Sequence, residues 1–361
     1  MELLDLDAAR AAVMGGLLLG AGGGGLEEGL AAAKTVLALG RPRLASLDEL
    51  EDEAGVVIST SVGAPSAARP ALGPTHRVRA LELLRQAVSP SSPQIRATMA
   101  SHPGAWIAET WVHAALDPTL FVADAAANGR GHPTVKMGGL GLAGRLDVAV
   151  HQAAVGGDET KGYLEVVARG PTQLTANVMR SAAVQAGGLI ASCRGPFSVG
   201  FCREAAAAGA VSTSIAVGRA MLEAQGKGVA AMAEAVLGSL GGRVLVEGLV
   251  RRHESTLVDG FDIGQLEIDA PEGELEIGIC NEFLCADLAG ERVASFPDLI
   301  VLLSSSDGMP VPAARVETGS RVVVLVVERD YLPLGAGVRD PSVYPEVERM
   351  IGRELARYAL A

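Results

Sequence analysis

Apolar positions along the first 170 residues alternate between helical spacing and short buried runs. Helical spacing runs from Leu6 to Leu19 and, after a glycine-rich stretch, from Leu26 to Leu39. A third helical pattern covers Val78–Val88. Strands that alternate with helices are typical of an α/β sheet, so we predict such a sheet for this half of the chain. The apolar runs that predict its strands are Gly55–Ser59, Trp106–Ile107, Leu120–Val122, Leu146–Val150 and Leu164–Val167.

The pattern changes after Gly170-Pro171. A helix is predicted over Thr172–Ala186, where Thr172 is placed to cap it, and the Ala-rich segment Val199–Gln225 predicts helical structure interrupted at Gly209. Short apolar runs between Gly-, Pro- and Asp-rich turns then predict mostly strands. The remaining predicted elements are the strands Leu189–Ser192, Val244–Val250, Gln265–Ile268, Leu275–Ile279, Leu299–Leu303 and Arg321–Val327 and a closing helix, Tyr344–Tyr358.

The length of the chain supports a division into two domains at this change of pattern. A chain of 361 residues exceeds the size at which one hydrophobic core usually stops growing. We therefore predict an α/β N-terminal domain over residues 1–170 and an α+β, β-rich C-terminal domain over residues 171–361.

Charge and composition restrict the partners of the chain. The net charge is −12 and no run of Lys or Arg is present, so nucleic acid and anionic membrane surfaces would be repelled. Aromatic residues make up only 3%, too few for a surface that stacks on the bases of single-stranded nucleic acid. The acidic N-terminus lacks the basic region of a secretory signal, and no apolar stretch is long enough for a membrane span. We expect a cytoplasmic protein that acts on a small molecule and keeps its four cysteines reduced.

A glycine-rich run from Gly20 to Gly25 is the first candidate ligand site. Consecutive glycines let backbone N–H groups approach a ligand closely, particularly just before a helix. The run lacks the Gly-Lys-Ser/Thr of a P-loop, and Glu27 and Glu28 would oppose a phosphate. We predict that it lines a pocket for a neutral or weakly anionic ligand, and the alternative is a tightly packed turn between two helices. Its candidate binding residues are Gly22, Gly23, Gly24 and Gly25.

The second candidate site follows the predicted strand Leu120–Val122. In open α/β sheets ligands bind beyond the carboxyl ends of the strands, and this strand leads directly into a polar loop. A carboxylate, a guanidinium and an imidazole within nine residues can polarise a carbonyl and transfer a proton. The alternative is a surface loop with an Asp–Arg ion pair that contributes little. The candidate residues are Asp124, Asn128, Arg130 and His132.

Asn281 and Glu282 form the third candidate site, between Cys280 and Cys285. The two cysteines would point to opposite faces of an extended chain, so we do not expect a zinc site made from them. The polar pair lies between apolar neighbours. We expect the pair to take part either in catalysis on a ligand or in a structural contact, at a turn or between domains.

No cofactor is predicted from the sequence. None of the six histidines stands in a recognised metal-binding spacing, although distant ligands such as His113, His132 and Asp124 leave a divalent metal open as an alternative. Cys193 and Cys202 lie among small residues and could act as nucleophiles, but buried inert thiols are commoner.

Several motifs occur in a fixed order along the chain. The glycine run comes first, then Gly63-Ala64-Pro65, and then Asp124 with the segment from Gly129 to Pro133. In this order the chain resembles the S-methyl thiohydantoin desulfurase family, whose members carry a GTGGGG loop and a signature close to D-x-D-G-M-G-R-A-F-P-E. The later motifs of the resemblance are Gly187 to Ile190, Gly260 to Gly264, Asn281 to Leu284 and Pro297 to Ile300.

The resemblance implies a hydrolase that removes sulfur, as a thiol, from C2 of a five-membered thiohydantoin ring and leaves a hydantoin. It also implies a hydantoinase-type protein partner, and we expect a homo-oligomer. The chain departs from the family pattern at Leu26, Ala126, His132 and Thr134. These departures imply a shifted substrate or a loss of activity.

The leading hypothesis is attack by water on a ring carbon held between the two domains. Asp124 or Glu282 would be the general base. Arg130 and the glycine-run N–H groups would stabilise the developing charge. His132 would protonate the departing thiolate at an imidazole pKa of about 6.5. This hypothesis requires a cleft that brings the three candidate sites around one ligand.

Two other functions are kept as alternatives. One is a metal-dependent cyclic amidase that acts on hydantoin-like rings. The other is a non-catalytic subunit that binds a partner hydantoinase through Thr172–Ala186 and Val199–Gln225.

Overall fold

The computed structural model describes residues 1–21, 25–63, 72–160 and 162–360. The first two helices have the bounds that the apolar spacing predicted. Asp5 caps the first of them, because its carboxylate accepts a hydrogen bond from the Ala8 N–H at 2.8 Å. The helices are α1 (Leu6–Leu19), α2 (Leu26–Leu39), α3 (Pro74–Ala87), α4 (Val112–Leu116), α5 (Thr172–Gln185), α6 (Val199–Ala205), α7 (Ala210–Ala224), α8 (Val229–Leu240), α9 (Tyr344–Ile351) and α10 (Ala356–Ala359).

The strands divide into two sheets. The first sheet contains β1 (Glu2–Leu3), β2 (Arg43–Ala45), β3 (Gly55–Gly63), β4 (Ile95–Ala100), β5 (Phe121–Ala126), β6 (Val150–Gly156), β7 (Leu164–Gly170), β8 (Leu189–Ser198) and β9 (Ala207–Ala208). The second contains β10 (Arg243–Val258), β11 (Phe261–Ala270), β12 (Gly273–Cys280), β13 (Glu282–Leu288), β14 (Glu291–Ser295), β15 (Leu299–Ser304) and β16 (Arg321–Val327).

The first sheet is mixed, with the order β1-β2-β5-β4-β3-β8-β6-β7, and the short strand β9 pairs with β5 outside this order. Its centre is parallel, because β2, β5, β4 and β3 run in the same direction. The carboxyl ends of β3 and β4 therefore lie side by side at one edge of the sheet. Strand β8 comes from beyond residue 170 and pairs antiparallel with β3 and β6, so the chain returns to complete this sheet.

The second sheet is antiparallel, with the order β14-β13-β12-β11-β10-β16-β15. Its strands are rich in Val, Ile and Leu, which pack well on a pleated surface. The N-terminal α/β domain with a mixed sheet and the C-terminal domain with helices and an antiparallel sheet confirm the predicted fold class. The boundary at residue 170 stays a prediction.

Helix α1 joins the two halves of the molecule. One side of it packs in the core of the first sheet, and Met14 and Leu18 on another side pack in a cluster with side chains of β15 and β16. It lies very close to α7, because a Cβ atom at Gly15 would stand 1.9 Å from the Ser214 carbonyl oxygen. Small residues at this crossing let the two backbones approach.

Some predicted elements were wrong. The short run Trp106–Ile107 leads into a 3-10 helix, Ile107–Trp111, and not a strand. The strand β4 was missed because Arg96 and Thr98 interrupt its apolar run, and α8, β13 and β14 were missed as well. Pro171, not Thr172, occupies the N-cap of α5.

The closing helix is shorter than predicted. It ends at Ile351, where Gly352 takes a left-handed conformation with φ of 66°. Among the described helices, we find none with the length and apolar character needed to cross a membrane.

Candidate functional site

A cavity of about 130 Å³ lies where the two sheets approach each other. The first sheet contributes the end of β3, from Thr60 to Gly63, and the residues around Ser101 after β4. The loop after β5 contributes His132 to Val135, and α5 contributes Arg180. The turn between β12 and β13 contributes Asn281 and Glu282. The cavity thus lies beyond the carboxyl ends of parallel strands, where α/β sheets bind ligands.

Ser101 and His132 form a hydrogen-bonded pair in this cavity. The Nδ1 atom of His132 lies 2.9 Å from the Thr134 carbonyl oxygen, which can only accept, so Nδ1 carries the proton. The Nε2 atom is then free to accept a hydrogen bond from Ser101 Oγ, 3.1 Å away. Both side chains are buried, with exposures of 7% each. The backbone therefore fixes the tautomer that turns the unprotonated Nε2 toward the Ser101 hydroxyl.

The environment keeps His132 neutral. Burial lowers its pKa to about 3, and the neighbouring His102 adds to this effect. The His102 ring lies edge-on to that of His132, with 5.1 Å between centroids, and burial and the charge of Arg130 lower its pKa to about 4. His132 is therefore a hydrogen-bond acceptor at neutral pH and not an acid.

Gly138 has no side chain and so makes room for the Ser101–His132 pair. A Cβ atom at this position would stand 2.7 Å from His132 Cε1 and 2.9 Å from Ser101 Oγ. Arg194, from β8, holds the same loop through hydrogen bonds to the carbonyl oxygens of Val135, at 3.2 Å, and of Gly138. The loop that carries His132 is thus fastened to the centre of the first sheet.

Glu282 is a buried carboxyl group in the wall of the cavity. Its side chain is 4% exposed, and its Oε2 atom has no hydrogen-bond partner among the residues that the structure describes. Burial raises its pKa to about 8, although the charges of Arg130 and Arg180 act in the opposite direction. At neutral pH the Glu282 carboxyl group is therefore mostly protonated and able to donate.

Asn281 connects the two halves of the cavity. Its backbone is left-handed, with φ of 58°, a conformation that Asn tolerates better than most residues. Its Nδ2 donates to the Pro133 carbonyl oxygen at 3.2 Å, and its Oδ1 accepts from the Asp262 N–H at 2.9 Å. These bonds tie the loop of His132 to the turn that carries Glu282, so the predicted turn or domain contact is present here.

Charged groups complete the cavity wall. Arg77 donates to Ser61 Oγ at 2.7 Å and forms an ion pair with Glu109. Arg180 stacks on the Phe261 ring, 4.1 Å from its centroid, and donates to the Gly260 carbonyl oxygen at 2.8 Å. With Glu282 protonated, the two arginines outweigh Glu109. The cavity therefore suits a neutral or weakly anionic ligand.

Asp124 lies away from this cavity. Its carboxylate accepts hydrogen bonds from the Ser212 N–H at 2.9 Å and from Ser212 Oγ at 2.6 Å. Ser212 belongs to the first turn of α7, so Asp124 satisfies a free N–H at the start of that helix. The expected role of Asp124 as a base at a common site is corrected by this placement.

Arg130 and Asn128 are buried structural residues and do not line the cavity. Arg130 Nε donates to the Gly131 carbonyl oxygen at 2.7 Å, its Nη groups reach the carbonyl oxygens of Asp298 and Phe283, and its guanidinium lies over the Phe296 ring. Asn128 donates to the Arg130 carbonyl oxygen at 2.9 Å. Arg130 therefore joins the loop to the second sheet, and the expected stabilisation of substrate charge by Arg130 is corrected.

The glycine run begins beside the candidate site. The Leu19 carbonyl oxygen accepts from the Gly131 N–H at 2.8 Å, and that of Ala21 accepts from the Phe283 N–H at 3.0 Å. Gly25 precedes α2 and does not line the cavity. The other predicted binding residues, Gly22, Gly23 and Gly24, lie outside the described residues, as do Ala64 and Pro65 of the second motif.

The three residues considered as distant metal ligands are separate. His113 contacts Ser59, His132 contacts Ser101 and Asp124 contacts Ser212. Across the described ranges, no three His, Cys, Asp or Glu side chains are grouped so that they could hold a metal ion.

The four cysteines are free and buried. Burial raises the pKa of Cys193 and of Cys202 to about 12, so both stay thiols and are poor nucleophiles.

Sequence reasoning missed Ser101 and His102. Both follow β4, the strand that was not predicted, so their position at the carboxyl end of a central strand was hidden. Recognising Ile95–Ala100 as a strand would have placed them beside the loop after β5.

Family comparisons cover most of the chain. A family described as "S-Me-THD-like, N-terminal domain" matches residues 7–151, and one described as "S-Me-THD-like, C-terminal domain" matches residues 171–332. The chain belongs to the S-methyl thiohydantoin desulfurase family. The resemblance drawn from the ordered motifs is thereby confirmed.

A solved structure shares the fold of this S-Me-THD-like protein. The crystal structure of a protein from Chromobacterium violaceum, a structural genomics target, aligns over 94% of this chain and 93% of its own, with 20% identity and a TM-score of 0.71. At this identity the likeness concerns the fold alone. The search of curated proteins found no match.

Proposed function

We propose that this S-Me-THD-like protein hydrolyses the bond between a ring carbon and sulfur in an S-methylated thiohydantoin, releasing a thiol and leaving a hydantoin. The family supports the ring class. The cavity volume of about 130 Å³ supports the size, since an engineered cavity of about 150 Å³ holds benzene. The observation that carries the proposal is that buried Glu282 lines the same cavity as His132, whose Nε2 faces Ser101 Oγ, and that burial raises the pKa of Glu282 to about 8.

Glu282 is the proton donor in this proposal. The C–S bond breaks more readily when the ring nitrogen or the departing sulfur receives a proton, and a carboxyl group with a pKa of about 8 still holds one at neutral pH. An exposed glutamate would already be ionised. Burial between the two sheets therefore gives Glu282 the protonation state that the reaction needs.

His132 is the proton acceptor. Its neutral Nε2 faces Ser101 Oγ, so it can accept a proton from an oxygen nucleophile that attacks the ring carbon. We had expected His132 to protonate the thiolate at an ordinary imidazole pKa. A pKa of about 3 argues against that role, because the protonated ring is scarce at neutral pH.

A thiol-release assay tests the proposal. Purified protein is incubated with a panel of S-methyl thiohydantoins that differ in ring substituent, and thiol and hydantoin are measured. We expect equal amounts of both, and a loss of about 100-fold or more in turnover for Glu282→Gln. Glu267→Gln is the matched control, because Glu267 is a buried carboxylate of β11, bound to Arg251, that does not line the cavity.

The products also separate this proposal from the cyclic amidase. Absence of thiol release from every ring in the panel would overturn the desulfurase proposal. Opening of the ring with the sulfur still attached would favour an amidase instead.

One observation favours a second role, as a partner subunit. Helix α5 exposes Leu174, Val178 and Val184, at 57%, 45% and 49%, on its outer side. We propose this face, and not the largely packed α7, as the contact with a second copy of the chain. Size-exclusion chromatography with light scattering tests it, since Val178→Glu should shift the protein to a smaller assembly. An unchanged mass would contradict the proposal.

A further inference from the structure

Ser101 has the surroundings of a serine nucleophile. Its Oγ lies 3.1 Å from His132 Nε2, and His132 Nδ1 lies 2.9 Å from the Thr134 carbonyl oxygen. Ser101, His132 and the Thr134 carbonyl group thus form the hydrogen-bonded series of a nucleophile, a base and a group that orients the base. Ser101 also lines the cavity and follows the carboxyl end of β4.

The chain provides an internal comparison for this arrangement. Ser59 Oγ lies 3.2 Å from His113 Nε2, which also faces Cys193 Sγ at 3.9 Å. Both Ser59 and His113 are buried, yet neither lines the cavity. Of these two serine–histidine pairs, the Ser101 pair has access to a ligand. Its space is kept by Gly138, which a Cβ atom would fill.

We propose that Ser101 is a catalytic residue that forms a covalent bond to the ring carbon, so that the reaction passes through an intermediate in which this carbon is bonded to Ser101 Oγ as an O-alkyl isourea. This inference rests on the proposed function and identifies the nucleophile within it. A hydrolysis by direct attack of water would need no such bond.

The first step breaks the carbon–sulfur bond. Ser101 Oγ bonds to the ring carbon while its proton passes to His132 Nε2. The sulfur leaves with the electron pair of the broken bond and takes the proton of Glu282, so methanethiol is released. The ring remains bound through oxygen, with Glu282 as carboxylate and His132 protonated.

The second step uses one water molecule. Glu282 removes a proton from the water as its oxygen bonds to the ring carbon. The bond to Ser101 Oγ breaks, and His132 returns its proton to the serine. The ring leaves with the oxygen of water as a hydantoin, and both side chains regain their starting protonation states.

Rapid-quench measurements of thiol release and mass spectrometry of the full chain test the inference. With an S-methyl thiohydantoin that the protein turns over, we expect an initial burst of about one thiol per chain. After acid quenching, the intact chain should carry the mass of the ring without its methylthio group, and a proteolytic digest should place this mass on the peptide that contains Ser101. Ser101→Ala should lose both signals and about 100-fold or more of the turnover.

Ser59→Ala is the matched control, since it removes the hydroxyl of a buried serine–histidine pair outside the cavity. It should keep the burst and the adduct, and thermal unfolding should show both variants folded. Thiol release by Ser101→Ala within about tenfold of the parent rate would overturn the inference and leave the proposed function standing. If Ser101→Ala loses turnover but the parent protein shows neither a burst nor an adduct, Ser101 is a positioning residue and the covalent role is overturned. No thiol release by the parent protein would overturn both.

Discussion

The side-chain amide of Asn281 donates a hydrogen bond to the carbonyl oxygen of Pro133 at 3.2 Å, and this bond joins the two halves of the candidate site. Pro133 follows His132, the proposed base, and Asn281 precedes Glu282, the proposed acid. The distance between acid and base therefore depends on a contact between two domains. Asn281 holds this position in a left-handed conformation, as strained residues at functional sites often do.

Asn281→Gly should separate the two contributions of this residue. Glycine accepts the left-handed backbone but removes both side-chain hydrogen bonds. We expect a fall in turnover of about tenfold or more and a loss of about 1–3 kcal/mol in the free energy of unfolding. Asn281→Ala adds backbone strain and should be less stable than Asn281→Gly in urea unfolding. Equal stability of the two variants would contradict the strain.

Glu282→Gln should change how stability depends on pH. The folded protein binds the Glu282 proton up to a pKa of about 8, whereas the unfolded chain releases it at an ordinary value of 4.5. The stability due to this proton is present below pH 4.5 and is lost as the pH rises through 8. Glu282→Gln should therefore be more stable than the parent by a few kcal/mol at pH 9 and about equal at pH 4.5. Calorimetric unfolding at both values checks this, and a difference that does not vary with pH would argue against a buried, protonated Glu282.

Gly138→Ala should displace the serine–histidine pair. The new methyl group would stand 2.7 Å from His132 Cε1 and 2.9 Å from Ser101 Oγ, closer than carbon contacts allow. We expect a loss of about tenfold or more in turnover and about 1–3 kcal/mol in stability. Gly170→Ala is the control, because a Cβ atom there meets nothing within 4 Å among the described atoms. Full activity of Gly138→Ala would show that the pair does not need its observed position.

Arg130→Met should destabilise the protein first and lower activity only as a consequence. The substitution leaves the buried carbonyl oxygens of Asp298 and Phe283 without their donor. We expect a loss of about 3 kcal/mol or more in the free energy of unfolding. Arg145→Met, which removes an exposed ion pair with Asp147, should cost less than about 1 kcal/mol. If denaturant unfolding shows that Arg130→Met and Arg145→Met lose equally small amounts of unfolding free energy, Arg130 does not have the structural role assigned to it.

Asp124→Ala should affect α7 and not catalysis. The carboxylate accepts from the Ser212 N–H and hydroxyl, and similar helix-end contacts stabilise proteins by about 1 kcal/mol. We expect that loss in thermal unfolding with turnover unchanged. Ser212→Ala should lose a similar amount, since it removes the hydroxyl from the same contact. A large drop in turnover for Asp124→Ala but not for Ser212→Ala would indicate that Asp124 takes part in the reaction.

The sequence by itself determined many of the local elements and the family. Helical spacing predicted α1 and α2 with their observed bounds, because this periodicity depends only on neighbouring residues. Ordered motifs indicated the family, and family comparisons confirmed it. The strand predicted at Leu120–Val122 is also present; it extends to Ala126, includes Asp124 and leads to the loop that carries His132.

Only the tertiary structure decided which polar residues share a cavity. Arg130 and His132 are two residues apart, yet one is enclosed by carbonyl oxygens of the second sheet and the other faces Ser101. Asp124 is used by Ser212, 88 positions further along the chain. The pKa of Glu282 depends on burial between distant segments. Such contacts and desolvation arise from packing of remote parts of the chain, which residue spacing does not record.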